Sequence, residues 1–157
     1  MYTMRLARVP DARAVAEMSR DLIEHGLGWR WTTGRVLRCI RDAETNVLVA
    51  RAGARLAGFA IMSYREDSAH LLLCAVAPDH RRRGIGRALW AWLYVTAEVA
   101  GLRRVHLEVR AGSGAARAFY RQLGFVEDDT VPGYYGGVEA AVRMHLELGR
   151  IAASGQQ

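Results

Sequence analysis

The sequence predicts one mixed α/β (α+β) domain, and three observations carry that prediction. Apolar residues recur at helical spacing in some stretches and in short alternating or continuous runs in others, so both element types are present. The 157 residues suffice for one ordinary core and fall short of two. No internal repeat and no linker-like stretch divides the chain. The domain is therefore placed at 1–150, with 151–157 as a frayed tail.

The elements follow in order. "MRLARV" (4–9) alternates well enough for a first strand, and Pro10 and Asp11 open a helix with Val15, Met18, Leu22 and Ile23 at helical spacing. The glycines of "EHGLGWRW" break it. Thr32 or Thr33 caps a short second helix with Val36, Leu37 and Ile40 on one face. "NVLVAR" and "RLAGFAIMSYR" form a hairpin around "AGAR", and the nearly continuous apolar run "AHLLLCAV" reads as a strand buried on both faces. A helix from Gly84 to about Ala100 turns Ile85, Leu89, Trp92, Leu93 and Thr96 to the core. "RRVHLEVR" is a strand with Val105, Leu107 and Val109 on one face and His106, Glu108 and Arg110 on the other. "GSGAARAFYRQLGF" is a helix capped by Ser113 and ended by Gly124. "FVEDD", a "VPGYYGG" turn and "VEAAVRMHLEL" make a closing hairpin.

Composition narrows the function classes. No run approaches 18 apolar residues and the start lacks the features of a secretory signal, so a cytoplasmic protein without a membrane partner is expected. Cys39 and Cys74 alone make no disulfide framework. The formal net charge is +6 and every cationic side chain other than histidine is arginine. Either a compositional habit or an anionic partner explains this. The arginines are spread over helices and strands without aromatic interleaving, so no specific nucleic-acid partner is expected. No two of His25, His70, His80, His106 and His145 share a metal-ligand spacing, and no metal is expected.

The densest cationic cluster lies in "APDHRRRGIGRALW" (77–90), where a strand hands over to a helix. A helix start offers unbonded N–H groups and a positive dipole end. Gly84 and Gly86 let backbone approach a ligand, and Arg81, Arg82, Arg83 and Arg87 add positive charge, a combination suited to a phosphate or pyrophosphate. A P-loop is excluded because the chain has no lysine, and the dinucleotide fingerprint fails because "GIGRAL" lacks its third glycine. A purely structural turn with solvated arginines is the alternative.

"VAPDHRRRGIGRALW" resembles the coenzyme A loop of the GNAT superfamily of N-acetyltransferases, with Arg81, Gly84 and Gly86 filling its Arg/Gln-x-x-Gly-x-Gly signature. "LEVRAGSGAARAFYRQLGF" is similar to that superfamily's second conserved block, and "YYGGVEAAVRMHLEL" to its closing strands. Together with "WTTGRVL", these resemble the branch that acetylates protein N-termini, the ribosomal-protein alanine acetyltransferases. The resemblance implies a central mixed, largely antiparallel sheet flanked by about four helices. It implies acetyl-CoA as co-substrate and a primary amine as acceptor, on a protein N-terminus or a small molecule. A non-catalytic acyl-CoA-binding module is the alternative, and the choice between monomer and homodimer stays open.

The resemblance also implies residue roles. Cys74, Ala75 and Val76 at the strand end, with Arg81, Arg82, Arg83, Gly84, Ile85, Gly86 and Arg87, would hold the coenzyme, joined by Ser113, Ala116 and Phe119. Where that branch carries asparagine this chain has Ser113. Tyr120 would protonate the departing thiolate and Glu108 would accept the amine's proton, through water or with a raised pKa. From the residues alone, the helix favours Tyr120 as a core aromatic with its hydroxyl at the edge, and Glu108 is alternatively a solvated or Arg-paired strand glutamate, with Arg110 on the same face. Trp29, Trp31, Tyr134 and Tyr135 would line the acceptor mouth, with ordinary packing as their alternative.

Overall fold

Seven strands hydrogen-bond in the order β1-β2-β3-β4-β5-β7-β6, and four α-helices accompany them in the structure, a computed structural model that describes residues 1–149. The elements are β1 (Thr3–Leu6), α1 (Ala12–Leu22), α2 (Thr33–Arg41), β2 (Thr45–Ala52), β3 (Arg55–Tyr64) and β4 (Ser68–Val76). After these come α3 (Ile85–Val99), β5 (Arg104–Arg110), α4 (Gly114–Gln122), β6 (Val126–Tyr135) and β7 (Glu139–Glu147). The β1–β2, β2–β3, β5–β7 and β6–β7 pairs are antiparallel and β4–β5 is parallel, so the sheet is mixed and largely antiparallel as expected. Among the described residues no helix is long and apolar enough to cross a membrane. The tail expected at 151–157 lies outside them.

The chain divides into two compact units: Met1–Ser63 with Leu71–Tyr94, and Tyr64–His70 with the chain from Val95 onward. In the first, α1 and α2 lay Val15, Ala16 and Val36 on Val47, Val49, Phe59, Ile61 and Leu73, all buried. Thr32 caps α2, its hydroxyl accepting from the Arg35 amide at 3.4 Å. Asp11 is 4% exposed, yet its carboxylate accepts from Arg5 at 2.8 Å, Arg51 at 3.1 Å and the Arg8 amide at 2.7 Å. The second unit buries Val105, Leu107 and Val109 of β5 with Val142 and Met144 of β7 and Phe125.

Several local expectations are corrected. The first strand stops at Leu6, because Val9–Asp11 forms a 3-10 turn that leads into α1. β4 alternates between buried Ala69, Leu71 and Leu73 and half-covered His70, Leu72 and Cys74, so only one face is fully buried. On α3 the buried set is Ile85, Leu89, Trp90, Leu93 and Ala97; Trp92 and Thr96 lie to the side, and Thr96 hydrogen-bonds the Tyr64 hydroxyl at 2.6 Å. "VPGYY" is strand rather than turn: the register shifts between Val131 and Tyr135, Gly133 takes φ +65°, and the chain reverses at Gly136 and Gly137. Ser113 stands at the N-cap of α4 without a capping hydrogen bond from its side chain.

Burial would raise the Asp11 carboxyl, but its hydrogen bonds and the guanidinium charges outweigh burial and hold it below the usual carboxylate range. Its contribution to stability is therefore full above about pH 4 and is lost as pH falls through the folded value. Asp11→Ala is expected to cost about 3 kcal/mol at pH 7 by leaving two guanidinium groups without their partner. Urea unfolding checks this, and the difference from wild type should shrink below pH 4.

Candidate active site

In the first unit, β4 ends at Val76 and a 3-10 turn (Pro78–His80) carries the chain to the start of α3 at Ile85. Main-chain bonds hold the turn: the Ala77 amide donates to Ala57 O at 2.8 Å, and the His80 amide to Ala77 O at 2.9 Å. Arg55 reaches Asp79 at 3.4 Å, and Arg81 Nε donates back to Val76 O at 3.1 Å, which fastens the turn to the strand end. Beyond this point the backbone opens. Among the described residues, no main-chain carbonyl accepts from the amides of Arg82, Arg83, Gly84, Ile85 or Gly86. Gly84 takes φ +76° with open space where a side chain would be, and its carbonyl starts the helix by accepting from Ala88 at 2.9 Å. Arg82 is the one non-glycine among the described residues with positive φ, at +64°, a conformation that costs on the order of 1 kcal/mol. Arg81, Arg82 and Arg83 are exposed, so positive side chains flank a run of unengaged donors at the positive end of a 15-residue helix.

One residue the sequence reading passed over shapes this junction. A Cβ at Gly58 of β3 would lie 2.9 Å from Ala75 O, 3.3 Å from Ile85 Cγ2 and 3.4 Å from Val76 Cα. Only a glycine lets β3 lie this close to the end of β4 and the first residue of α3. The signal was a glycine interrupting the apolar run "RLAGFAIM". The same unit holds Trp29 and Trp31. Trp31 is 9% exposed within the core cluster and stacks beneath the Arg35 guanidinium at 3.8 Å; Trp29 is 41% exposed, its indole N–H bound to Trp31 O at 3.0 Å. Their loop hangs on Glu24, whose buried carboxylate accepts from Ser19 at 2.8 Å and from the amides of Arg30 at 2.7 Å and Trp31 at 3.2 Å. That anchor was not read from the sequence, because nothing in "LIEHGL" distinguishes a buried glutamate from a solvated one.

In the second unit Glu108 lies on the partly covered face of β5, its side chain 14% exposed. Arg110 is not its partner; that guanidinium pairs with Glu139 at 2.7 Å. Glu108 Oε1 instead meets His70 Nε2 at 2.6 Å, and the Tyr134 hydroxyl also hydrogen-bonds the carboxylate. Burial would raise the Glu108 carboxyl, but the His70 hydrogen bond, the imidazoles of His70 and His106, and Tyr134 together hold it below the ordinary glutamate value. Of the two routes expected for this residue, through water or with a raised pKa, the second is corrected: its pKa is lowered. His106 is pushed down by burial and by His70, whose ring it stacks on at 4.4 Å between centroids. Tyr134 meets Tyr135 edge-on at 4.9 Å, and burial, then the Tyr134 and Glu108 neighbours, raise the Tyr135 phenol.

Tyr120 is 9% exposed on α4, with its ring edge-on to Phe119 at 5.3 Å and Phe125 at 5.7 Å. The start of α4 is held from both sides. Glu139 accepts from the Gly112 amide at 3.1 Å, and Arg117 donates to Ala111 O at 2.9 Å while pairing with Glu127 at 2.9 Å. Ser113, Ala116 and Phe119 are half-buried along it. Glu108, Tyr134 and Tyr135 are thus gathered in one unit, and Cys74, Ala75, Val76 and the arginine–glycine loop in the other.

The model of the acetyltransferase (GNAT) family matches residues 12–125. A ribosomal protein bS18-alanine N-acetyltransferase of Escherichia coli K12 is 41% identical over 97 residues, 60% of this chain and 66% of the relative, so the match spans just under two thirds of that relative's length. The solved structure of the ribosomal-protein-S18-alanine N-acetyltransferase from Escherichia coli superposes with a TM-score of 0.79 at 31% identity, over 95% of each chain. The structure of yncA from Salmonella typhimurium, solved with its cofactor acetyl-CoA, shares the fold with a TM-score of 0.79 at 20% identity, over 96% of this chain and 95% of that one.

Two glycines at the junction should differ in cost. Gly84→Ala has room and meets only the positive-φ penalty, about 1 kcal/mol. Gly58→Ala drives a methyl into main chain and should cost about 2 to 3 kcal/mol. Chemical denaturation of both variants tests the order, and Gly58→Ala at wild-type stability would contradict the close approach.

Proposed function

This chain belongs to the acetyltransferase (GNAT) family, and from that premise we propose that it is an acetyl-CoA-dependent N-acetyltransferase acting on a protein N-terminal α-amine. It is an acyltransferase. The observation that carries the donor assignment is the row of unengaged amides from Arg82 to Gly86 under exposed arginines. Such a row suits a pyrophosphate, the group that joins the two halves of coenzyme A. In this reading Arg81, Arg82, Arg83, Gly84, Ile85, Gly86 and Arg87 hold the pyrophosphate end. Cys74, Ala75 and Val76 at the end of β4 are its contacts to the thioester end, and Ser113, Ala116 and Phe119 are its further coenzyme contacts. Ser113 suits this because its hydroxyl is not spent on capping α4.

The chemistry follows from proton affinities. Amide formation from a thioester needs a neutral amine, a polarised carbonyl and a proton for the leaving sulfur. An α-amine with pKa about 7.8 is roughly one-seventh neutral at pH 7, whereas a lysine amine near 10.4 is neutral about once in 2,500 molecules. Glu108, held below the ordinary glutamate value, is a weak base and suits the amine that needs least help. It orients the acceptor and takes its proton directly or through a water. Donors at the end of β4 stabilise the tetrahedral oxyanion, and Tyr120 gives its proton to the coenzyme sulfur. Trp29, Tyr134 and Tyr135 are the acceptor aromatics of this reading, whereas Trp31 lies within the core cluster. The 41% identity to an enzyme named for ribosomal protein bS18 favours a protein N-terminus over a small amine.

Thiol release from acetyl-CoA, measured with peptides of different N-terminal residues and with small amines, tests the function. Alanine-starting peptides are expected to react at least tenfold faster than lysine side chains. Tyr120→Phe should lower kcat by about 100-fold or more while calorimetry shows coenzyme A binding unchanged. Equal loss of both would return Tyr120 to a packing role.

A further inference from the structure

The base assigned above does not act alone. The parallel register sets Ser68 beside Arg104, Ala69 beside Val105 and His70 beside His106. Glu108 follows His106 by two residues and so shares its face of the strand. The alignment brings His70 Nε2 to 2.6 Å from Glu108 Oε1, with the two side chains 26% and 14% exposed. A hydrogen must lie between them, and because the Glu108 carboxyl is held ionised it is the ring nitrogen that carries it. His70 is therefore a donor to Glu108, and its tautomer is fixed by the carboxylate.

Other charged groups face the same region, yet each has another role. Across β7, Arg143 is in register with Glu108 but turns to Asp129 at 3.7 Å. His145 is in register with His106 and is held by Asp128 at 2.7 Å. Arg104 pairs with Glu147 at 2.6 Å. His106 contacts the pair as a flat surface, stacked on His70 with 25° between the rings, and burial and its neighbours disfavour its charged form. Among the described residues, His70 and Tyr134 are the side chains that hydrogen-bond the Glu108 carboxylate.

We propose that His70 is a positioning residue for catalysis: its Nε2–H fixes one oxygen of Glu108, so that the other is presented to the acceptor's neutral amine or to a bridging water. This rests on Glu108 being the base of the proposed N-acetyltransferase. In each turnover the amine nitrogen bonds the acetyl carbon and the carbon–sulfur bond breaks. One proton passes from nitrogen to the second oxygen of Glu108 and one from Tyr120 to sulfur, and exchange with solvent resets both. His70 keeps its hydrogen throughout. It holds the carboxylate's rotamer and keeps it ionised against the burial that would protonate it.

The test compares wild type, His70→Ala, His70→Gln and Glu108→Gln, with acetyl-CoA and an alanine-starting peptide as probes. His70→Ala is expected to lower kcat at least tenfold with KM for acetyl-CoA within twofold. His70→Gln keeps an N–H donor without a titrating ring and should recover most of that loss. The protonation midpoint of Glu108, read from its carboxyl carbon by NMR without acceptor, should rise by about one pH unit in His70→Ala and by less in His70→Gln. A role confined to folding would leave that midpoint in place. An unmoved midpoint, or equal kcat losses in the two His70 variants, overturns the proposal. Full turnover by Glu108→Gln removes the base reading itself, whereas an inactive Glu108→Gln beside a fully active His70→Ala removes only the role of His70.

Discussion

The proposed function rests on hydrogen bonds that one short stretch of backbone does not make. A strand that becomes a helix over a few residues must leave amides without intrahelical acceptors, since the first turn of any helix has none. Most proteins cover such donors with a capping side chain or water. Here the chain keeps them together and presses a positive φ on Arg82 and on Gly84 to do so. The turn before them is fastened by Arg81 to Val76 and by Arg55 to Asp79, so the open amides are held in place. Donors left without main-chain acceptors can serve an acceptor from outside, and the proposed reading gives them the oxygens of a pyrophosphate.

The second unit manages a different tension. A carboxylate placed among partly buried groups tends toward the protonated form, which cannot accept a proton. His70, His106 and Tyr134 reverse that tendency at Glu108 and lower its proton affinity below that of a free glutamate. The cost is basicity. In the proposed reading a carboxylate so held is ionised and a weak base, which suits an amine already partly neutral.

Much of this was legible in the sequence because it depends on local patterns. Thr32 reads as a cap because an extended residue with a hydroxyl stands before an amphipathic run, and Gly84 marks the strand-to-helix joint because it interrupts arginines at a helix start. Helix and strand types follow from period, so α1 to α4 and all seven strands were anticipated in order. What escaped depends on register and on contacts distant in sequence. The His70–Glu108 pair spans 38 residues and exists only because β4 and β5 align in parallel. Strand period put Arg110 on the face of Glu108 and left it open as a partner, but the β7 hairpin brings Glu139 to Arg110. The covered faces of β4 and α3 were misjudged because an apolar run states what can be buried, not which neighbour does the burying.

The charge total, ambiguous in the sequence, can be divided by place. Many arginines answer local carboxylates: Arg5 and Arg51 at Asp11, Arg104 at Glu147, Arg110 at Glu139, Arg117 and Arg121 at Glu127. Their number tracks the acidic residues and needs no external partner. Others, such as Arg30, Arg38 and Arg41, have no carboxylate within 4 Å among the described residues yet are scattered over helix and loop, as a compositional habit would leave them. Arg82 and Arg83 also have none, but they are consecutive, exposed and set over amides that themselves have no main-chain acceptor. Both sources of positive field, side chain and helix dipole, coincide there. At the head of α3 charge and directed donors occur together, which is why the proposed reading seats the pyrophosphate there.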